Sequence, residues 1–226
     1  GGASEAGMNR VVPLAGILLV LAGGWLFFWN SAPGEYRNLP PANTGPWVCF
    51  GDSLTEGYGA VRGKDYPSLF AQKLGTKVVN LGVSGNTTAD GLARIDSAIK
   101  LKPRVVMLCL GGNDTLQQIP REQTFANLAT MIDRFHRSGS FVVLVGVCSA
   151  SILRDKNAEH FENLAKEKNV FYIPNILDGV FGQPALMSDK IHPNGDGYEK
   201  IAHRLEEELK PIQGLLLLSP SAVSKP

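Results

Sequence analysis

From Trp47 onward, short apolar runs alternate with segments whose apolar residues recur at helical spacing, and few folds accommodate that rhythm. The runs are Trp47–Phe50, Val78–Leu81, Val105–Leu110, Phe141–Val147 and Val170–Ile173. Several are apolar at every residue, which requires cover on both faces, as for parallel strands between helices. The intervening stripes are Tyr66, Leu69, Phe70 and Leu74; Leu92, Ile95 and Ile99; Phe125, Leu128, Ala129, Ile132 and Phe135; Phe161, Leu164 and Ala165; and Ile201, Ala202, Leu205 and Leu209. Asp65 is placed to cap the first of these helices, Pro67 to sit in its first turn and Gly75 to stop it. The third ends at Gly139. A β-α-β-α order of this kind predicts an open parallel sheet with helices on both faces.

Ligands of such sheets bind beyond the carboxyl ends of the strands. Polar, glycine-containing segments follow the first three strands: Gly51-Asp52-Ser53, Gly82-Val83-Ser84-Gly85-Asn86 and Gly111-Gly112-Asn113-Asp114. All three are therefore expected at one rim. A serine at a strand–helix turn serves as nucleophile or as helix cap, and Thr55 breaks the G-x-S-x-G elbow, so Ser53 alone decides nothing. A nucleophile needs a base held by a third group. Of the four histidines, His136, His160 and His203 fall in helical stretches and read as solvated helix surface. His192 lies in a loop three residues after Asp189, close enough for one turn to bring carboxylate and imidazole together. Asn113 could donate to an oxyanion or simply serve a turn. Asp52 and Asp114 read as turn-bracing acceptors.

The formal net charge is +1, with no sign of a basic patch for nucleic acid. Cys49, Cys109 and Cys148 sit in apolar runs and read as buried free thiols. The histidines do not cluster at ligand spacing, so neither metal nor cofactor is implied.

Met8 reads as the native start, with residues 1–7 left by cloning. Val11 to Trp29 carries no charge and, at ~1.5 Å per residue, would reach ~28 Å, near the thickness of a hydrocarbon core. A retained anchor, a cleaved secretory signal and a buried core helix compete for residues 8–30. The anchor is preferred, because the run is longer than a signal core and Ser31-Ala32 precedes Pro33. Arg10 favours an inside N-terminus and so a periplasmic or other extracytoplasmic domain; a cleaved signal would give a secreted one. Residues 31–46, rich in Pro and Gly, read as an extended linker. The domain is expected over 47–212, followed by a tail over 213–226 whose Leu215–Leu218 is too short to span a bilayer.

Taken together, four blocks resemble the SGNH (GDSL) hydrolase family, in that family's order. Gly51-Asp52-Ser53-Leu54 is similar to the nucleophile block, and Gly82 to the glycine whose amide lines the oxyanion hole. Gly111-Gly112-Asn113-Asp114 is similar to the G-x-N-D block, and Asp189 to His192 to the D-x-x-H block. The resemblance spans roughly Trp47 to Pro211. Leu54-Thr55-Glu56-Gly57-Tyr58-Gly59 and Gly91-Leu92-Ala93-Arg94 point to the bacterial periplasmic thioesterase, lysophospholipase and arylesterase branch, although the stretch Cys148 to Asp155 is short for it. The resemblance implies a three-layer α/β/α domain with a flavodoxin-like five-stranded sheet. It implies a serine esterase acting on esters or thioesters through an acyl-enzyme, with Ser53, Asp189 and His192 catalytic and Ser53, Gly82 and Asn113 forming the oxyanion hole. Expected partners are a small-molecule or lipid ester, and a membrane through Val11–Trp29 if that segment is retained. Apolar residues near the rim segments, Ile119, Ile152, Leu153, Phe181, Leu186 and Met187, weakly favour lipid substrates. A carbohydrate O-acetylesterase and a non-catalytic binding module are the alternatives.

Overall fold

The computed structural model describes residues 36–147 and 156–218, all within one compact unit. Five parallel strands form one sheet: β1 Trp47–Gly51, β2 Val78–Gly82, β3 Val105–Cys109, β4 Phe141–Val145 and β5 Phe171–Ile173. Their spatial order is β2-β1-β3-β4-β5, the flavodoxin-like winding. The helices are α1 Ser53–Glu56, α2 Tyr66–Leu74, α3 Thr88–Ile99, α4 Gly112–Leu116, α5 Arg121–Arg137, α6 Lys156–Lys168 and α7 Gly195–Leu217.

Alternate strand residues feed two separate cores. Cys49, Met107, Val143 and Val145 face one side, where they meet Leu69 and Phe70 of α2 and Ile201, Leu205 and Leu209 of α7. Val48, Phe50, Leu108 and Leu144 face the other, against Ile95 of α3, Leu128, Ile132 and Phe135 of α5, and Phe161 of α6. Every residue of β1, β3 and β4 is buried. At ~1.5–3 kcal/mol for each large apolar side chain, the two layers dominate stability. Truncating Phe50, fully buried between α3 and α5, would cost about 3–5 kcal/mol.

Local signals set the helix ends. Asp65 caps α2 by accepting from Ser68 N at 2.9 Å, and Gly75 ends it in the left-handed region. Thr87 and Asp90 cap α3 reciprocally. Asn194 caps α7, accepting from Gly197 N at 3.0 Å. The last helix continues through Leu217 with Leu216 fully buried, so the first residues of the expected tail belong to the domain.

Two further expectations differ. Residues 36–46, read as a linker, have little regular structure but pack on the domain at the N-terminal edge of the sheet. The Tyr36 ring meets Phe141 and Phe171, and Leu39 packs on the core. Asn38 donates to the carbonyls of His136 and Ser140, and Asn43 to those of Pro103 and Ser138. His136, expected on solvated helix surface, is buried (3% exposed), because this segment lies over the end of α5. His160 and His203 are exposed as expected, and Cys49 and Cys109 are buried and free. Cys148, the Val11–Trp29 segment and the apolar helix expected there lie outside the described residues. Among those described, no helix is long and apolar enough to cross a membrane.

Candidate active site

The in-register pairing Gly51↔Gly82 and Gly51↔Cys109 ends β1, β2 and β3 at one level, which brings the three polar segments to one rim. Asp52 turns the chain out of β1. Its side chain accepts from Leu54 N at 3.0 Å and so caps α1. Ser53 is thereby the first residue of a four-residue helix, half-buried at the rim.

His192 Nε2 lies 3.0 Å from Ser53 Oγ, across 139 residues of chain. Its Nδ1 lies 2.8 Å from Asp189 Oδ2. Asp189 Oδ1 also accepts from the Ile191 and His192 backbone amides, each at 2.7 Å. Those amide bonds, together with the imidazole, hold the Asp189 carboxyl down to about 2. The loop is closed by Ser188 N and Oγ donating to His192 O and by the bridge between Met187 and Pro193. With Nδ1 donating to the carboxylate, Nε2 is the free acceptor for the serine proton. The Tyr58 ring stands against the imidazole, 4.5 Å between centroids.

Asn113, early in α4, donates through Nδ2 to Asn86 O at 2.9 Å. A longer contact, 3.5 Å, reaches Asp52 Oδ2. Asp52 is buried, and burial pushes its carboxyl up to about 6 against the Leu54 amide, which favours the anion. Asp114 accepts from Thr88 N, Thr88 Oγ1 and Thr124 Oγ1 and ties α3 to α5. Both aspartates thus brace turns, as the sequence suggested.

Gly82 does not match its expected role. Its amide donates to Asn80 Oδ1 at 2.8 Å, and it is not among the residues lining the cavity at Ser53. Glycine is required there for another reason: a Cβ would come within 2.0 Å of Glu56 N. Within the same segment, the glycine that lines the cavity is Gly85, at φ +80 with open space where a side chain would stand.

The cavity holds about 440 Å³ and includes Ser53, His192, Asn113, Ser84 and Gly85. Its apolar wall is Leu54, Tyr58, Leu116, Val147, Leu177, Phe181 and Ile191. Of the apolar residues named from sequence, only Phe181 lies here among those described. Ile119 lines a neighbouring cavity beyond α4, Leu186 and Met187 pack on the core, and Ile152 and Leu153 fall outside the described residues. Ile191, inside the D-x-x-H block, and Tyr58, just after α1, were the findable ones by position.

Residues 49–200 match the GDSL-like Lipase/Acylhydrolase family. The chain belongs to this family. Its relatives include thioesterase 1/protease 1/lysophospholipase L1 of Escherichia coli (strain K12), 32% identical over 73% of this chain and 83% of that protein. An arylesterase of Vibrio mimicus is 31% identical over 72% of this chain and 86% of that one. The crystal structure of TesA superposes with a TM-score of 0.68 at 29% identity, covering 74% of this chain and 98% of TesA. AlinE4, an SGNH-hydrolase family esterase, gives 0.58 at 29% identity over 73% and 94%. The chain is accordingly a GDSL/SGNH-type hydrolase acting on esters, with the α/β fold of that family.

Proposed function

We propose that the chain cleaves carboxylic esters or thioesters through an acyl-enzyme on Ser53. The observation carrying this is the continuous contact from Asp189 through His192 to Ser53 Oγ, at 2.8 and 3.0 Å. His192 takes the serine proton as Oγ attacks the carbonyl, then gives it to the leaving oxygen or sulfur. In the second half it deprotonates the water that releases the acid. Asp189 keeps the imidazole in the accepting tautomer. The tetrahedral oxyanion is held by the Ser53 amide, the Asn113 side chain and the Gly85 amide, the last replacing Gly82 in the sequence-based set. Asn113 keeps one N–H on Asn86 O and turns the other from its long contact with Asp52 to the oxyanion.

The mostly apolar wall favours an acyl group of several carbons, and the thioesterase, lysophospholipase and arylesterase names of the relatives agree with acyl substrates of that kind. A fluorophosphonate should label Ser53, read by peptide mass spectrometry. Labelling elsewhere, or none, removes the nucleophile. A nitrophenyl ester series of increasing acyl length, set against acetylated sugars, should favour the longer acyl groups; preference for the sugars would turn the reading to an O-acetylesterase. The uncharged run Val11–Trp29 supports an anchored, extracytoplasmic domain. Release of the full chain from membranes by alkaline carbonate would refute the anchor.

A further inference from the structure

The rim carries a cation that the reaction above does not use. Arg94, on α3, is half-buried and bonds only to neutral oxygens. Its Nη2 donates to Gly51 O at 2.8 Å, Nη1 to Leu81 O at 3.0 Å and Nε to Asn86 Oδ1 at 2.6 Å. The guanidinium carbon sits 4.1 Å over the Phe50 ring. Each acceptor belongs to a different part of the site. Gly51 lies two residues before Ser53. Leu81 is the next-to-last residue of β2, the strand that leads into the Gly85 loop. Asn86 closes that loop, and its own carbonyl receives the Asn113 amide.

The loop from Val83 to Asn86 has no regular structure, and few bonds fix it. Val83 N donates to the same Gly51 carbonyl, Asn86 N closes a turn on Val83 O at 3.2 Å, Ser84 N and Oγ donate to Glu56 Oε2, and Asn86 is held by Asn113 at its carbonyl and by Arg94 at its side chain. A planar fork with donors at fixed angles suits three acceptors on three segments; a single ammonium does not.

We propose that Arg94 is a positioning residue for the oxyanion cradle: it sets the spacing between the Ser53 turn, the Gly85 amide and, through Asn86, the Asn113 side chain. The proposal rests on the acyl-transfer reading of this site. It goes further in assigning the geometry of the cradle to one side chain outside the cavity. Misplacement of reacting groups by about 1 Å is worth on the order of 10²-fold in rate, comparable to losing one oxyanion donor.

The test compares Arg94→Ala, Arg94→Lys and Asn86→Ala with the parent chain. Active enzyme is counted by fluorophosphonate titration, and kcat and KM are measured on one nitrophenyl ester. Affinity is measured for an alkylboronic acid, whose tetrahedral serine adduct places an oxygen in the cradle. Arg94→Ala is expected to lower kcat per titrated site about 10²-fold with KM within about threefold, and to weaken the boronate by a similar factor. Guanidinium at tens of millimolar should restore part of that kcat, and sodium chloride at equal strength should not. Arg94→Lys should not recover the parent rate. Asn86→Ala keeps both backbone bonds of Arg94, so it tests the link where Arg94→Ala fails to fold; about a tenfold fall in kcat at little changed melting temperature is expected. Full kcat per titrated site in Asn86→Ala, or in a folded Arg94→Ala, overturns the proposal. Failure of the parent chain to label at Ser53 would instead overturn the acyl-enzyme reading.

Discussion

Two histidines at opposite edges of the sheet show what a polar environment does to the same ring. At the C-terminal edge, His192 has one nitrogen on Asp189 and the other on Ser53. At the N-terminal edge, both nitrogens of His136 are buried without a hydrogen-bond partner. Burial, with Arg37 and Lys168 adding to it and Asp133 opposing it, pulls the His136 pKa down to about 4. The asparagines around it, Asn38 and Asn43, donate their amides to backbone carbonyls and leave the ring alone. The rim asparagines, Asn80, Asn86 and Asn113, instead join charged groups and loop amides into one array. An imidazole with both nitrogens engaged can pass a proton; one with neither is neutral near pH 7 and acts as packing.

Replacing Ser53 by Ala presses this contrast hardest. It should lower ester hydrolysis by about 10⁵-fold or more while the melting temperature moves by only a few degrees, measured on protein purified free of parent enzyme. Hydrolysis persisting in that variant would make His192 as idle as His136. Asn113→Ala comes next, with kcat falling about 10²–10³-fold and KM little changed in steady-state kinetics; a change confined to KM would remove Asn113 from the cradle.

His136→Leu tests the other edge through stability against pH. The folded pKa lies below the unfolded value of 6.5, so the unfolded chain binds the proton first. The penalty is absent above 6.5, grows as pH falls and is complete near 4, amounting to about 3 kcal/mol. Denaturant melts at pH 7 and pH 4.5 should therefore differ less in the variant than in the parent. Asp52 titrates in the same range with the opposite sign, its raised pKa favouring the fold toward acid, but it is common to both proteins and cancels in the difference. An unchanged pH dependence would mean that His136 takes its proton in the fold. Tyr58→Ala, which removes the ring against His192, should cost the least, about two- to tenfold in kcat. A larger loss would make that ring part of what orients the base.

Much of this was legible beforehand because it depends on periodicity and chain order. All five strands and the α2 cap follow from patterns that survive folding unchanged, and the meeting of Ser53 with His192 follows from the resemblance of four blocks to the family. What escaped depends on which way single groups point. Asn80-Leu81-Gly82-Val83-Ser84-Gly85 offers two glycine amides, and only the turn of the Asn80 side chain shows that the first is taken. The usable hint was position: Gly82 still pairs within the sheet, whereas Gly85 falls between strand end and helix cap. His136 escaped because its burial comes from residues 36–43, a stretch whose prolines signal irregular backbone but not where it docks.

The partition of the cavity has a consequence for how such an enzyme diversifies. The proposed nucleophile and base, Ser53 and His192, stand on short turns fixed by the sheet and by backbone amides. Leu116, Phe181 and Ile191 project from α4 and two surface loops and bond to no reacting group. Exchanging them would reshape what enters while leaving the Asp189–His192–Ser53 contacts untouched. New preferences can then arise by small steps, without passing through an inactive ancestor.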